Sequence, residues 1–111
     1  MTLTSATCDG FAVAHLSGNL DLLAGKQFRE SSAIEARKSD LILNMAQLDF
    51  MDSAGLAALV LVIRAHHSAG KRCALVAPTP IVAKILKITA IHQLAPIEES
   101  LEGAIRLLKD K

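Results

Sequence analysis

The side chains best placed to do chemistry gather in one stretch, Asp49-Phe50-Met51-Asp52-Ser53-Ala54-Gly55-Leu56. It lies between a short apolar strand signal, Leu41–Met45, and a long helical signal that reaches about Ala69. Asp and Ser are preferred where a helix begins, because their side-chain oxygens accept hydrogen bonds from free amide N–H groups. That end is also the positive pole of the helix dipole and suits a negative group, phosphate included. Ser53 is therefore either a cap or a hydroxyl on which charge can be placed.

Catalysis by the chain itself is poorly served. A nucleophilic serine needs a base within hydrogen-bond reach. His66 and His67 follow on the same helical signal, roughly 20 Å from Ser53 at about 1.5 Å per residue. His15 and His92 belong to other elements. The strained G-x-S-x-G turn is absent, and so is the phosphate-cradling G-x-x-x-x-G-K-S/T loop. A phospho-aspartate receiver needs carboxylates gathered at strand ends to hold Mg²⁺. Only Asp21, Asp49 and Asp52 could contribute. A phosphoacceptor for an external kinase asks least, since the kinase brings its own base, metal and nucleotide. The chain is expected to be no enzyme and to need no cofactor.

Phosphorylation adds about −1.5 to −2 charges. A helix start tolerates that charge, so the fold need not change. A partner docked closely on Ala54, Gly55 and Ala58 would not tolerate it, with Asp52 adjacent. The small side chains would let another backbone approach. The competing expectation is that Ser53 merely caps the helix.

The elements that must hold this stretch read in order as β-β-α-β-α-β-α-β-α. Thr2–Thr7 and Phe11–Ser17 are strands joined at Asp9-Gly10, a hairpin turn signal. Phe11, Val13 and His15 fall on one face of the second strand, Ala12, Ala14 and Leu16 on the other. Gly18-Asn19 is expected to break that strand, and Asp21 to cap a helix over about Leu22 to Arg37. Ala24, Phe28, Ser31 and Ile34 form its inward stripe, with Lys26, Arg29, Glu30, Glu35 and Arg37 in solvent. Leu41–Met45 suits a parallel strand covered on both faces. The helix after it, Ser53–Ala69, has one apolar stripe of Leu56, Leu59, Val60, Ile63 and His67, and another of Ala54, Ala58, Leu61 and Ala65. Gly70 ends it. Arg72–Ala77 is a further strand, and Thr79 with Pro80 starts a third helix. Ala95–Glu98 suits a short edge strand, and Ser100 caps a last helix.

Composition narrows the function classes. A chain of 111 residues predicts one domain, 1–111. With 51% hydrophobic residues and 3% aromatic, its core must be aliphatic. A formal charge of +1 gives no electrostatic footprint for nucleic acid. Cys8 and Cys73 lie in separate strand signals without zinc-like spacing. Met1-Thr2-Leu3-Thr4-Ser5 has no basic region and no long apolar region, so no signal peptide is expected. The longest run free of polar residues, Ala54 to Ile63, is about half what a membrane span requires. The expectation is a cytoplasmic protein with no membrane insertion.

Asp52-Ser53-Ala54-Gly55-Leu56, after an apolar strand and Phe50-Met51, resembles the phosphorylation motif of the STAS domain found in bacterial anti-sigma factor antagonists. Leu16-Ser17-Gly18-Asn19-Leu20-Asp21, Phe28-Arg29-Glu30 and Ile85-Leu86-Lys87-Ile88-Thr89 fall in the matching order, so the resemblance runs from about Asp9 to Leu108. It implies an α/β, STAS-like single domain with a mixed four- to five-stranded sheet and about four helices. It implies that the unphosphorylated domain binds an anti-sigma factor with serine kinase activity and so frees a sigma factor. A serine phosphatase would reverse the modification. Ser53 is then the phosphoacceptor, and Asp21 and Asp52 match acidic positions used for partner recognition or kinase presentation. Ala54 stands where a second serine is common, and Ala90 where glycine is usual. The same family implies an alternative, an accessory subunit of a lipid-transport ABC system or a stress-sensing scaffold.

Overall fold

The computed structural model describes residues 1–31, 34 and 38–110. The chain opens with β1 (Thr2–Cys8) and β2 (Phe11–Leu20), paired antiparallel. Both turn residues, Asp9 and Gly10, have positive φ, 52° and 84°, as a two-residue hairpin turn matched to strand twist requires. There follow α1 (Leu22–Glu30), β3 (Leu41–Met51), α2 (Ser53–Ser68), β4 (Cys73–Val76) and α3 (Pro80–Ile88). A short 3₁₀ turn, Ile91–Gln93, leads to β5 (Ile97–Glu98) and α4 (Leu101–Lys109). The sheet order is β1-β2-β3-β4-β5, with every pair after the first parallel. Among the described residues this gives a mixed five-stranded sheet and four helices, within the expected four to five strands and about four helices.

Several boundaries differ from expectation, each for a physical reason. Gly18 does not break β2. It takes φ 87° while the ladder shifts register between His15 and Ser17 and again between Gly18 and Asn19. A bulge of this kind re-aims a strand without ending it. The extension gives β3 a pairing partner beyond Met45, so β3 runs on to Met51 although Ala46, Gln47, Asp49 and Phe50 are exposed. β4 is shorter than Arg72–Ala77, because Ala77 turns left-handed at φ 51°. α1 stops at Glu30, where Ser31 becomes extended at φ −60°, ψ 133°. The expected continuation through Glu35 and Arg37 lies outside the described residues.

The sheet is covered on both sides. Ala14, Leu16, Leu43, Met45 and Leu75 meet Ala24 and Phe28 of α1, Leu59 and Ile63 of α2, and Val82 and Leu86 of α3. On the opposite face Val13, Ile42, Ala74 and Val76 meet Ala104, Ile105 and Leu108 of α4. The alternation in β2 thus sends Val13 to one core and Ala14 and Leu16 to the other. The inward face of α2 differs from both expected stripes. It is Gly55, Ala58, Leu59, Val62, Ile63 and His66, so His66 is buried and His67 exposed. The His66 ring meets the Val62 carbonyl one turn back, Nδ1 to O 2.9 Å. Cys73 is also buried, and burial, with Asp40 adding to it, pushes its thiol up to about 12. It stays protonated and unreactive in the folded chain at neutral pH.

Ala90 follows α3 in the left-handed conformation, φ 60°, ψ 26°. Non-glycine residues adopt that region at a cost of order 1 kcal/mol. Ala90→Gly is therefore expected to stabilise the fold by up to about 1 kcal/mol, less what glycine loses in the unfolded chain. Denaturant titration of the pair measures it.

Candidate functional site

The β2–β3 register places Leu20 beside Met51. The residue after each strand is an aspartate, so Asp21 and Asp52 arrive together at the carboxyl ends of these two neighbouring strands. Each caps the helix that follows. Asp21 Oδ1 accepts from the Ala24 amide at 2.9 Å, and Asp52 Oδ1 accepts from the Gly55 amide at 2.8 Å. The Asp52 amide in turn donates to the Leu20 carbonyl at 3.3 Å, tying the start of α2 to the end of β2.

Asp52, not Ser53, does the capping. Ser53 takes the first helical position and is exposed. Its hydroxyl is at the positive pole of a 16-residue helix, with an acidic cap on either side of the α1–α2 seam. That site offers an accessible oxygen and tolerates added negative charge. Among the described residues no three His, Cys, Asp or Glu side chains are grouped to hold a metal. None of the described helices is long and apolar enough to cross a membrane.

The expected small-residue face divides in two. Ala54 is half-buried and Ala57 exposed, and both face the space beside α1. Gly55 is buried, which corrects its expected place in a surface for a partner, and Ala58 is buried at the floor of that space. A Cβ at Gly55 would stand 1.9 Å from the Leu20 carbonyl oxygen. Ala58 faces Gly25 of α1, where an added Cβ would lie 3.0 Å from the Ala58 methyl. Their small size is used within the fold, to bring α2 onto β2 and α1 onto α2.

Thr79 is another correction. It precedes α3 without capping it, and its hydroxyl donates to the Leu48 carbonyl at 2.8 Å. It therefore fastens α3 to β3 just before the site. Leu22 and Leu23 were not singled out from sequence, yet they are 75% and 78% exposed beside the caps, and Leu61, named in the second apolar stripe of its helix, is 53% exposed at the seam. The available signal was their position: Leu22 and Leu23 lie off the inward Ala24–Phe28 stripe.

A sheet of this order, with paired caps and an exposed serine opening the second helix, defines a protein class. Residues 3–104 match the model of the STAS domain, and the chain belongs to that family. It is 26% identical over 111 residues to BtrV of Bordetella bronchiseptica, named as an anti-sigma factor antagonist, across 98% of this chain and 96% of that one. The anti-sigma factor antagonist SpoIIAA of Bacillus in its unphosphorylated form is 25% identical, with a TM-score of 0.80 over 99% of this chain and 98% of that one. Its phosphorylated form superposes with a TM-score of 0.71 at 26% identity, over 95% and 97% of the two chains. A protein from Thermotoga maritima shares the fold at a TM-score of 0.87 over 96% of this chain and 94% of that one, with 17% identity.

Proposed function

We propose that the chain is an anti-sigma factor antagonist switched at Ser53. With Ser53 unmodified it binds an anti-sigma factor that is also a serine kinase, and a sigma factor is released. The kinase phosphorylates Ser53 and ends the interaction, and a serine phosphatase restores it. The chain acts by binding rather than by turnover, and 1–111 forms a single STAS domain.

The observation that carries this reading is the placement of Ser53. Asp52 takes over the capping, so the serine hydroxyl is exposed at a position where a phosphoryl group costs the fold little. The relatives named as antagonists, among them one described in phosphorylated and unphosphorylated forms, support it. Asp21 and Asp52 serve partner recognition or kinase presentation, and Ala54 lets that partner come close. A phosphoryl group there meets the partner's surface at short range, where like charge and lost hydration are both costly.

The test is release. Adding the chain to a preformed complex of the kinase-type anti-sigma factor and sigma factor of the same organism should free the sigma factor in proportion to the chain added. Size-exclusion chromatography separates the species. A complex that survives a large excess of unmodified chain contradicts the reading.

A further inference from the structure

We infer that the groove between α1 and α2 provides most of the affinity in this interface, and that it receives a helix of the anti-sigma factor carrying both apolar and acidic side chains on the face it buries. The inference rests on the function proposed above and names the partner chemistry of the same site.

The groove has two matching walls. Leu22, Lys26 and Arg29 lie four and three residues apart on one stripe of α1. Ala54, Ala57 and Leu61 lie three and four apart on one stripe of α2. The floor is sealed where Gly25 meets Ala58. Small residues at the seam bring the helices together and leave the larger side chains standing at the rim. Leu22 and Leu61 are well exposed, one on each wall, so the groove offers apolar contact from both sides. Scattered exposed leucines mean little, whereas a lined apolar groove beside a binding site marks a contact surface.

Charge sets the chemistry of the occupant. Both helices start at the acidic caps, Asp21 and Asp52, and run away from them, so the basic residues Lys26 and Arg29 come one and two turns further in. Among the described residues the ion pairs are Arg72 with Asp40 and Lys109 with Asp9, and neither Lys26 nor Arg29 has an acidic partner there. A helix laid in the groove is matched when its acidic side chains lie over Lys26 and Arg29 and its apolar side chains meet Leu22 at the lip and Leu61 about two turns further in. Acidic groups are kept from the lip by the caps. A phosphoryl group on Ser53, next to Asp52 at that lip, adds charge of the same sign as the occupant's acidic side chains. The groove and the switch are thereby coupled.

The experiment is titration calorimetry of the purified kinase-type anti-sigma factor with four chains: the parent, Ser53→Asp, the double variant Leu22→Ser with Leu61→Ser, and the double variant Lys26→Glu with Arg29→Glu. All the substituted side chains are exposed, so thermal melts should match the parent. Each groove variant is expected to bind at least about tenfold more weakly, as truncation of interface anchors does. Lys84→Glu with Lys87→Glu on exposed positions of α3 should bind as the parent does. If both groove variants bind within about twofold of the parent while Ser53→Asp loses binding, the groove inference falls and the proposed function stands. If the parent does not bind at all, both fall. Should a groove variant melt early, the parent's own affinity decides: it is expected to weaken as salt screens Lys26 and Arg29, and salt-independent affinity overturns the inference.

Discussion

Ser53→Asp is expected to weaken binding to the anti-sigma factor by about two orders of magnitude, since like charges brought together at an interface cost several kcal/mol. The same substitution should leave the melting temperature unchanged or slightly raised. An acidic side chain in the first turn of a helix contributes about 0.3–1 kcal/mol with the dipole. Asp52 keeps its cap hydrogen bond to Gly55, so nothing holding α2 in place is removed. This opposition separates a switch from a structural serine. If Ser53 served only to stabilise the start of α2, affinity and stability would fall together or not at all. Calorimetric titration alongside a thermal melt of the same preparation gives both numbers.

Gly55→Ala is expected to be among the most destabilising single substitutions available to this chain, costing more than about 4 kcal/mol. The added methyl would stand 1.9 Å from the Leu20 carbonyl oxygen and 2.7 Å from its carbonyl carbon. These are backbone atoms, and the Asp52 amide already donates to the same oxygen. Relief requires α2 to back away from β2, which breaks that hydrogen bond and opens the Leu59–Ile63 contacts with the sheet. At about 4–8 °C per kcal/mol for a domain near this size, the melting temperature should fall by about 15 °C or more. Gly25→Ala is the control. Its new methyl meets the Ala58 methyl at 3.0 Å, a side-chain contact that a small shift of α1 can relax. It also gains up to about 1 kcal/mol of helix propensity, so its effect should be far smaller. A similar loss in both variants would show that the Leu20–Gly55 contact is not the constraint described.

Much of the fold was legible because strong local signals agreed with the global arrangement. Asp9-Gly10 made its hairpin, Pro80 took the first position of α3, and Ser100 accepted from the Gly103 amide at 3.0 Å as a cap. The alternation in β2 assigned residues to two cores correctly. What escaped depended on partners distant in sequence. Gly18 reads as a breaker by itself, and only β3 alongside turns it into a bulge within a longer strand. The face of α2 is set by Gly25 and Leu20, so the buried stripe passes through Gly55, Ala58 and Val62 between the two apolar ones visible locally. Thr79 had the right identity for a cap, but the Leu48 carbonyl captured its hydroxyl. Within the candidate site, Asp52 and Ser53 were legible as a helix start, while which of them capped was decided by the strand geometry delivering Asp52. Gly55 and Ala58 show the limit of reading small residues as a surface. A seam between two helices of the same chain demands the same residue types as a docking face. Leu22 escaped because a leucine beside a cap looks like core until the helix is placed.

The placement of Ser53 is tested most directly by mapping where the kinase-type anti-sigma factor puts phosphate when incubated with this chain and ATP. Peptide mass spectrometry of the parent and of Ser53→Ala resolves the position. One phosphoryl group per chain is expected, on Ser53, and none on the Ser53→Ala variant. Phosphate on another residue, or equal incorporation into both chains, would contradict it.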